Sequence, residues 1–227
     1  MYGKLECSII TIMKTILEKI DKNQNNTDII REAGRILKEG GLVAFPTETV
    51  YGLGADALNE DAAKKIYAAK GRPSDNPLII HITNMKALEK IVSEVPEKAV
   101  KVAEKYWPGP LTMIVWKNDR VPYETTGGMD TVAIRMPKHP VALRLIEGSG
   151  CLIAAPSANT SGKPSPTEAS HVALDMDGRI PMILDGGPVG IGIESTIVDL
   201  SEETPMILRP GYITQSRRPS GLRKTKY

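Results

Sequence analysis

Leu42-Val43-Ala44-Phe45, continuing through Pro46-Thr47-Glu48-Thr49-Val50-Tyr51-Gly52-Leu53-Gly54-Ala55-Asp56-Ala57 to Asn59, is the stretch on which the fold turns. Its first four residues form an unbroken apolar run, the pattern of a strand buried on both faces. Asn59 can cap a helix over Glu60 to Ala69, because its side-chain oxygen can accept a free first-turn N–H. Between strand and helix, Gly52-x-Gly54-x-x-Ala57 imitates a dinucleotide fingerprint. That fingerprint opens its helix directly after the strand, whereas six residues intervene here, and no strand-end acid follows about 20 residues on. A glycine-rich turn accounts for the same glycines.

Outward from this unit, strand-like runs recur at Leu78-Ile82, Leu111-Trp116, Thr131-Met136, Cys151-Ala155, Ile180-Leu184, Thr196-Leu200 and Met206-Leu208. Asn26-Thr27 can cap a helix carrying Ile29, Ile30, Ala33, Ile36 and Leu37 on one face, stopped by Gly40-Gly41. Pro96 to Tyr106 and Pro140 to Glu147 read as further helices. Strand and helix alternate in the first half and short strands crowd the second. The pattern predicts an α/β (mixed α+β) domain with a twisted, mixed parallel and antiparallel sheet and flanking helices. Lys117-Gly128 reads as a surface loop, and 214–227 as a basic tail beyond the last strand.

Composition is that of a soluble globular chain: 227 residues, 41% hydrophobic and 25% charged. The net charge of +2 conceals an asymmetry. Arg217, Arg218, Arg223, Lys224 and Lys226 lie in an acid-free C-terminal stretch, and removing these five from +2 leaves −3 for the body. The body is thus no nucleic-acid-coating surface; the tail is either a solvated end or an RNA-attracting arm. Cys7 and Cys151 show neither disulfide nor zinc spacing, which suits a reducing cytoplasm. No apolar run reaches the ~18 residues of a membrane span, and the N-terminal segment lacks a signal-peptide pattern.

Lys70-Gly71-Arg72-Pro73-Ser74-Asp75-Asn76-Pro77 places two cations in a proline-stiffened segment before a strand. A lone Lys-x-Arg is usually a solvated face, but Asn76 and the nearby His81 favour a lined pocket, with Arg able to fork onto phosphate oxygens. Arg135, inside an apolar strand, either points outward from an edge or awaits an anionic ligand. Ser157 and Asn159 follow the run ending at Ala155; they either cap a helix or hold a ligand at a strand end. Ser195 and Arg209 add a hydroxyl and a cation at two further strand ends. No nucleophile elbow, zinc-protease motif or paired acids are found, which favours a reaction whose nucleophile comes from the substrate.

Taken together, Gly41 to Leu53, Lys70-Gly71-Arg72-Pro73, Trp107-Pro108-Gly109-Pro110-Leu111-Thr112, Ala133-Ile134-Arg135-Met136-Pro137, Ala155-Pro156-Ser157-Ala158-Asn159 and Glu194-Ser195-Thr196-Ile197-Val198 resemble the YrdC/Sua5 family of threonylcarbamoyl-AMP synthases, in family order over 27–213. The resemblance implies a YrdC-like fold with a deep, positively charged cavity. It implies a nucleotidyltransferase making L-threonylcarbamoyladenylate and pyrophosphate from L-threonine, bicarbonate or CO2, and ATP, for the N6-threonylcarbamoyladenosine modification of tRNA. It places threonine near Thr49, His81, Arg135, Ala155 and Ser195. It places ATP near Lys70, Arg72, Asn76, Thr131, Ser157, Asn159, Ser165 and Arg209, with Lys70 and Arg72 catalytic and Mg²⁺ arriving with ATP. It further implies a downstream tRNA threonylcarbamoyl-transferase complex as partner. The chain reads as the short, single-domain form, preceded by an extension over 1–26 in which Met13 is an alternative start. Two other readings compete: an RNA-binding module without catalysis, and a sister carbamoyl transfer of the kind found in hydrogenase-maturation proteins.

Overall fold

Alternation along the strands decides which side chains reach the core and which the site. In a computed structural model, which describes residues 13–21, 23–24 and 26–214, β2 (Val43–Pro46) is buried on both faces. Ala44 points into one apolar cluster, while Val43 and Phe45 point into another on the opposite side. The sheet's other strands are β1 (Ile16–Lys19), β3 (Tyr51–Asp56), β4 (Ile79–His81), β5 (Leu111–Trp116), β6 (Thr131–Arg135), β7 (Ile153–Ala154), β8 (Met182–Asp185), β9 (Thr196–Asp199) and β10 (Met206–Arg209). Among the described residues they form one mixed sheet in the order β1-β8-β2-β3-β7-β4-β6-β5-β9-β10. β1 and β2 flank β8 in parallel, β4 pairs β6 and β5 pairs β9 in parallel, and the remaining neighbours are antiparallel.

The larger cluster takes Leu53, Ile80, Met113, Val132 and Ile134 from one face of the sheet and Ile66 from α2 (Glu60–Lys70). On the other face, α1 (Thr27–Lys38) and α5 (Pro140–Ser149) pack together and cover Val43, Phe45, Ile153, Met182 and Leu184. That cover stops at β7. Beyond it, Ile79 and His81 of β4, Ile114 of β5 and Ala133 and Arg135 of β6 turn the same face toward an open cleft. The site is therefore the half of a sheet face that the helix pair leaves bare.

Several expectations need correction. Gly52 and Gly54 lie within β3 and not in a turn: a Cβ on Gly54 would sit 2.8 Å from both Ile153 Cγ2 and Phe45 Cε1. Glycine serves close strand packing there. β1 lies inside the stretch read as an N-terminal extension, where Ile16 to Lys19 pair with Met182 to Asp185. The run Cys151-Ala155 keeps only two strand residues. Lys117-Gly128 contains a helical turn, α4 (Tyr123–Thr126), and is anchored where the buried Thr125 hydroxyl donates to the Ala57 carbonyl at 2.7 Å. A 3-10 turn over Met85–Lys90 and the helix α6 (Ala169–Met176) also escaped the pattern.

Asn59 caps α2 as expected, accepting the Ala62 N–H at 3.1 Å. The helix ends in a Schellman turn: Gly71 N–H reaches the Ala68 carbonyl and Arg72 N–H the Tyr67 carbonyl. Trp107-Pro108 is a cis peptide. Among the described residues no helix is long and apolar enough to cross a membrane. Cys7 and the basic tail from Arg217 lie outside the described residues.

Candidate active site

The cleft encloses about 210 Å³ and is lined by Thr49, Arg72, Asn76, His81, Ala133, Arg135, Ala155, Ser157, Glu194, Ser195 and Arg209, among others. Strand register explains the gathering. His81 stands opposite Arg135 in the β4/β6 ladder, and Thr112 stands opposite Arg135 in β5/β6. The Thr112 hydroxyl is 2.7 Å from that of Ser195.

Arg135 resolves the alternatives left open by sequence: it is buried, 4% exposed, and points inward. Its Nη1 donates to the Thr49 hydroxyl at 2.9 Å and its Nε to the Gly109 carbonyl at 3.3 Å, which makes the Trp107-Pro108-Gly109 turn part of its mount. Its Nη2 lies 2.6 Å from Glu48 Oε1 in a buried ion pair, with no further hydrogen bond to either atom among the described residues. The other Glu48 oxygen accepts the Lys138 N–H at 3.0 Å. His81 meets Phe45 edge-on, with ring centroids 6.1 Å apart. Burial, reinforced by the Arg135 charge, pushes its pKa down to about 3, so the imidazole is neutral at physiological pH.

Arg209 donates to the Ser195 carbonyl through Nε at 3.2 Å and Nη2 at 3.0 Å, and from Nη2 to the Ser195 hydroxyl at 3.2 Å. The following turn lies so close that a Cβ on Gly211 would sit 2.4 Å from the Glu194 carbonyl oxygen. Arg72 bonds to the Asn76 side-chain oxygen and to the carbonyls of Asn76 and Pro77, all neutral acceptors. Burial lowers the pKa values of both Arg72 and Arg209. Crowded cations of this kind favour an anionic ligand.

Lys70 and Asn159 are brought together, but not into the lining of the cleft. The Lys70 ammonium donates to the main-chain carbonyls of Ser157 and Asn159 and thus ties the end of α2 to the turn after β7. Burial, with help from Arg72, pushes its pKa down to about 8. Helix capping by Ser157 or Asn159 does not occur, since the next helix starts at Ala169. Instead Gly52 and Ser157 form a β-bridge, and the Asn159 side-chain nitrogen donates to the carbonyls of Thr160 and Lys163. Its side-chain oxygen is buried without a partner among the described residues.

Ser165 sits one layer back, donating to Glu194 Oε1 at 2.5 Å; this bond lowers the Glu194 pKa and outweighs burial, which acts to raise it. Thr131 is opposite Trp116 at the far end of β6, on the face of Ala133 and Arg135 but beyond the lining residues. Sequence reasoning missed Glu48, Thr112 and Glu194 as individual participants. Glu48 had a usable signal, being the only acid in the quoted motif from Gly41 to Leu53.

The enclosed volume is below the ~300–1,000 Å³ usual for ligand sites. It suits a molecule of amino-acid size, with anything larger extending over the exposed rim at Asn76.

Residues 35–211 match the family model Sua5_yciO_yrdC, described as "Telomere recombination". The chain is 56% identical over 202 residues to a threonylcarbamoyl-AMP synthase of Pyrococcus abyssi, covering 89% of this chain and 58% of that one. It is 55% identical over 209 residues to a Bacillus subtilis protein of the same name, covering 90% and 60% respectively. It therefore spans about three-fifths of the length of these relatives. Among solved structures, P. abyssi Sua5 complexed with L-threonine superposes with a TM-score of 0.85 at 56% identity, covering 87% of this chain and 58% of that one.

Proposed function

The chain belongs to the Sua5/YciO/YrdC family, and from that premise we propose that its cleft makes L-threonylcarbamoyladenylate. In this reading L-threonine, bicarbonate or CO2, and ATP give the adenylate and pyrophosphate. The observation that carries the proposal is Arg135, a buried guanidinium facing a cleft of amino-acid size, in a chain 56% identical to a Sua5 solved with L-threonine.

Arg135 takes the amino acid's carboxylate, because charge-assisted bonds to a buried guanidinium are strong and directional. Thr49, neutral His81, Ala155 and Ser195 surround the rest of the molecule. The free amine attacks CO2, forming an N–C bond and losing a proton. A carbamate oxygen then attacks the α-phosphorus of ATP, and the bond to the β-phosphate oxygen breaks with pyrophosphate as leaving group. Arg72 and Arg209, with Asn76 and Ser157, hold the phosphates and oppose the charge that develops on them. Lys70 acts chiefly by fixing the Ser157-to-Asn159 turn, and Ser165 by orienting Glu194. Thr131 lies near the outer reach of a nucleotide.

Mg²⁺ would enter with the triphosphate and neutralise part of its charge. A downstream tRNA-modifying complex would receive the unstable product. Purified protein given ATP, bicarbonate and threonine is expected to release pyrophosphate only when threonine is present. Folded protein that releases none would refute the proposal.

A further inference from the structure

The four cations around the cleft are not equally compensated. Arg135 has a carboxylate, Glu48, at 2.6 Å, with side-chain exposures of 5% and 14% for the two residues. Arg209 feels the carboxylate of Glu194 at the rim of the same strand pair. Among the described residues Arg72 bonds to amide and carbonyl oxygens and to no carboxylate, while Lys70, behind the lining, bonds to two carbonyls and feels the Asp175 carboxylate. The Arg135 end is thus the more fully compensated and the Arg72 end the more positive. Arg135 Nη2 and Glu48 Oε1 are buried against each other as an ion pair behind the cleft surface, so the Arg135 charge that a ligand meets is already opposed by a carboxylate.

We propose that Glu48 is a specificity-determining residue: it neutralises Arg135, so that the inner end of the cleft admits a zwitterionic amino acid and repels polyphosphate, which is left to the Arg72 end. The proposal rests on the amino-acid and nucleotide reading given above and adds to it how two substrates of unlike charge are kept apart. Glu48 is well placed for this, because its second oxygen is fixed by the Lys138 N–H and its own carbonyl by the Ile191 N–H at 3.0 Å. A carboxylate so anchored cannot swing away when an anion approaches. An incoming phosphate would meet a like charge held beside the guanidinium, the arrangement by which interfaces reject wrong partners.

The test is calorimetric titration of the full chain with threonine and with inorganic pyrophosphate, singly and together. In the wild type the two are expected to bind without competing. In Glu48→Gln, threonine is expected to weaken at least about tenfold and pyrophosphate to become competitive with it. Glu48→Asp, which keeps the charge, is expected to restore non-competition. A Glu48→Gln protein in which threonine weakens but pyrophosphate still does not compete would show a merely structural role and overturn the proposal. Competition in the wild type would overturn it without any variant, which covers the case of a Glu48→Gln chain that does not fold. Wild-type protein that binds no threonine would instead refute the underlying reading of the site.

Discussion

The ammonium of Lys70, at the last residue of α2, donates to the main-chain carbonyl of Asn159, joining a helix end to the turn after β7. The same ammonium also holds the Ser157 carbonyl, so its removal leaves two carbonyls without their charged donor. Each such hydrogen bond contributes roughly 1.5–3 kcal/mol. Lys70→Met is expected to lower stability by several kcal/mol in denaturant unfolding. It should also reduce kcat/KM at least about tenfold, ~1.4 kcal/mol in the barrier. Arg72→Ala, at a half-exposed position, should show a similar kinetic loss with stability nearly unchanged.

Lys70 also sets a pH dependence. Burial and the repulsion of Arg72 bring its pKa down to about 8 from an ordinary 10.5. A bound triphosphate favours the protonated form and so raises that value again. ATP binding near pH 8 should therefore be accompanied by proton uptake, absent at pH 6, and affinity should fall as pH rises above 8. Titrations in buffers of different ionisation enthalpy check this. Uptake equal at both pH values would remove Lys70 from the account.

His81 gives the opposite limb. Its folded pKa, about 3, lies below its ordinary 6.5, so between those values the unfolded chain binds a proton that the native one does not. Native stability from this residue is thus fully present above pH 6.5 and lost as pH falls toward 3. The loss approaches roughly tenfold in the folding equilibrium per pH unit. Between pH 6.5 and 5, unfolding midpoints of the wild type should drop faster than those of His81→Gln, which has no such proton to gain.

Gly211→Ala should disturb the cleft from behind. The added Cβ would lie 2.4 Å from the Glu194 carbonyl oxygen and 2.6 Å from the Thr196 nitrogen, both backbone atoms that cannot swing aside. A destabilisation of about 1–3 kcal/mol is expected, together with weaker ATP binding as Ser195 and Arg209 shift. Unaltered melting and binding would show the turn to be tolerant.

Much of the sheet was legible because its central strands are apolar runs buried on both faces, as in Leu42-Phe45, and α2 because its cap and its final glycine are local signals. β1 was not: only four residues long and largely exposed, it owes its strand state to Met182 to Asp185, far along the chain. β3 was hidden by glycines whose reason is the packing of Phe45 and Ile153, which no local pattern reveals. In the site, the motifs identified the cations and hydroxyls but not their order in space. Lys70, expected beside the phosphates, donates to the Ser157 and Asn159 carbonyls next to the cleft, while Glu48 went unnoticed because its partner, Arg135, lies across the fold.

The most direct test of the account is threonine binding to wild type and to Arg135→Gln, measured by calorimetry with a non-hydrolysable ATP analogue present. The account predicts saturable threonine binding in the wild type and its loss in the variant, with the analogue still bound by both. Equal threonine affinity in the two proteins would contradict it.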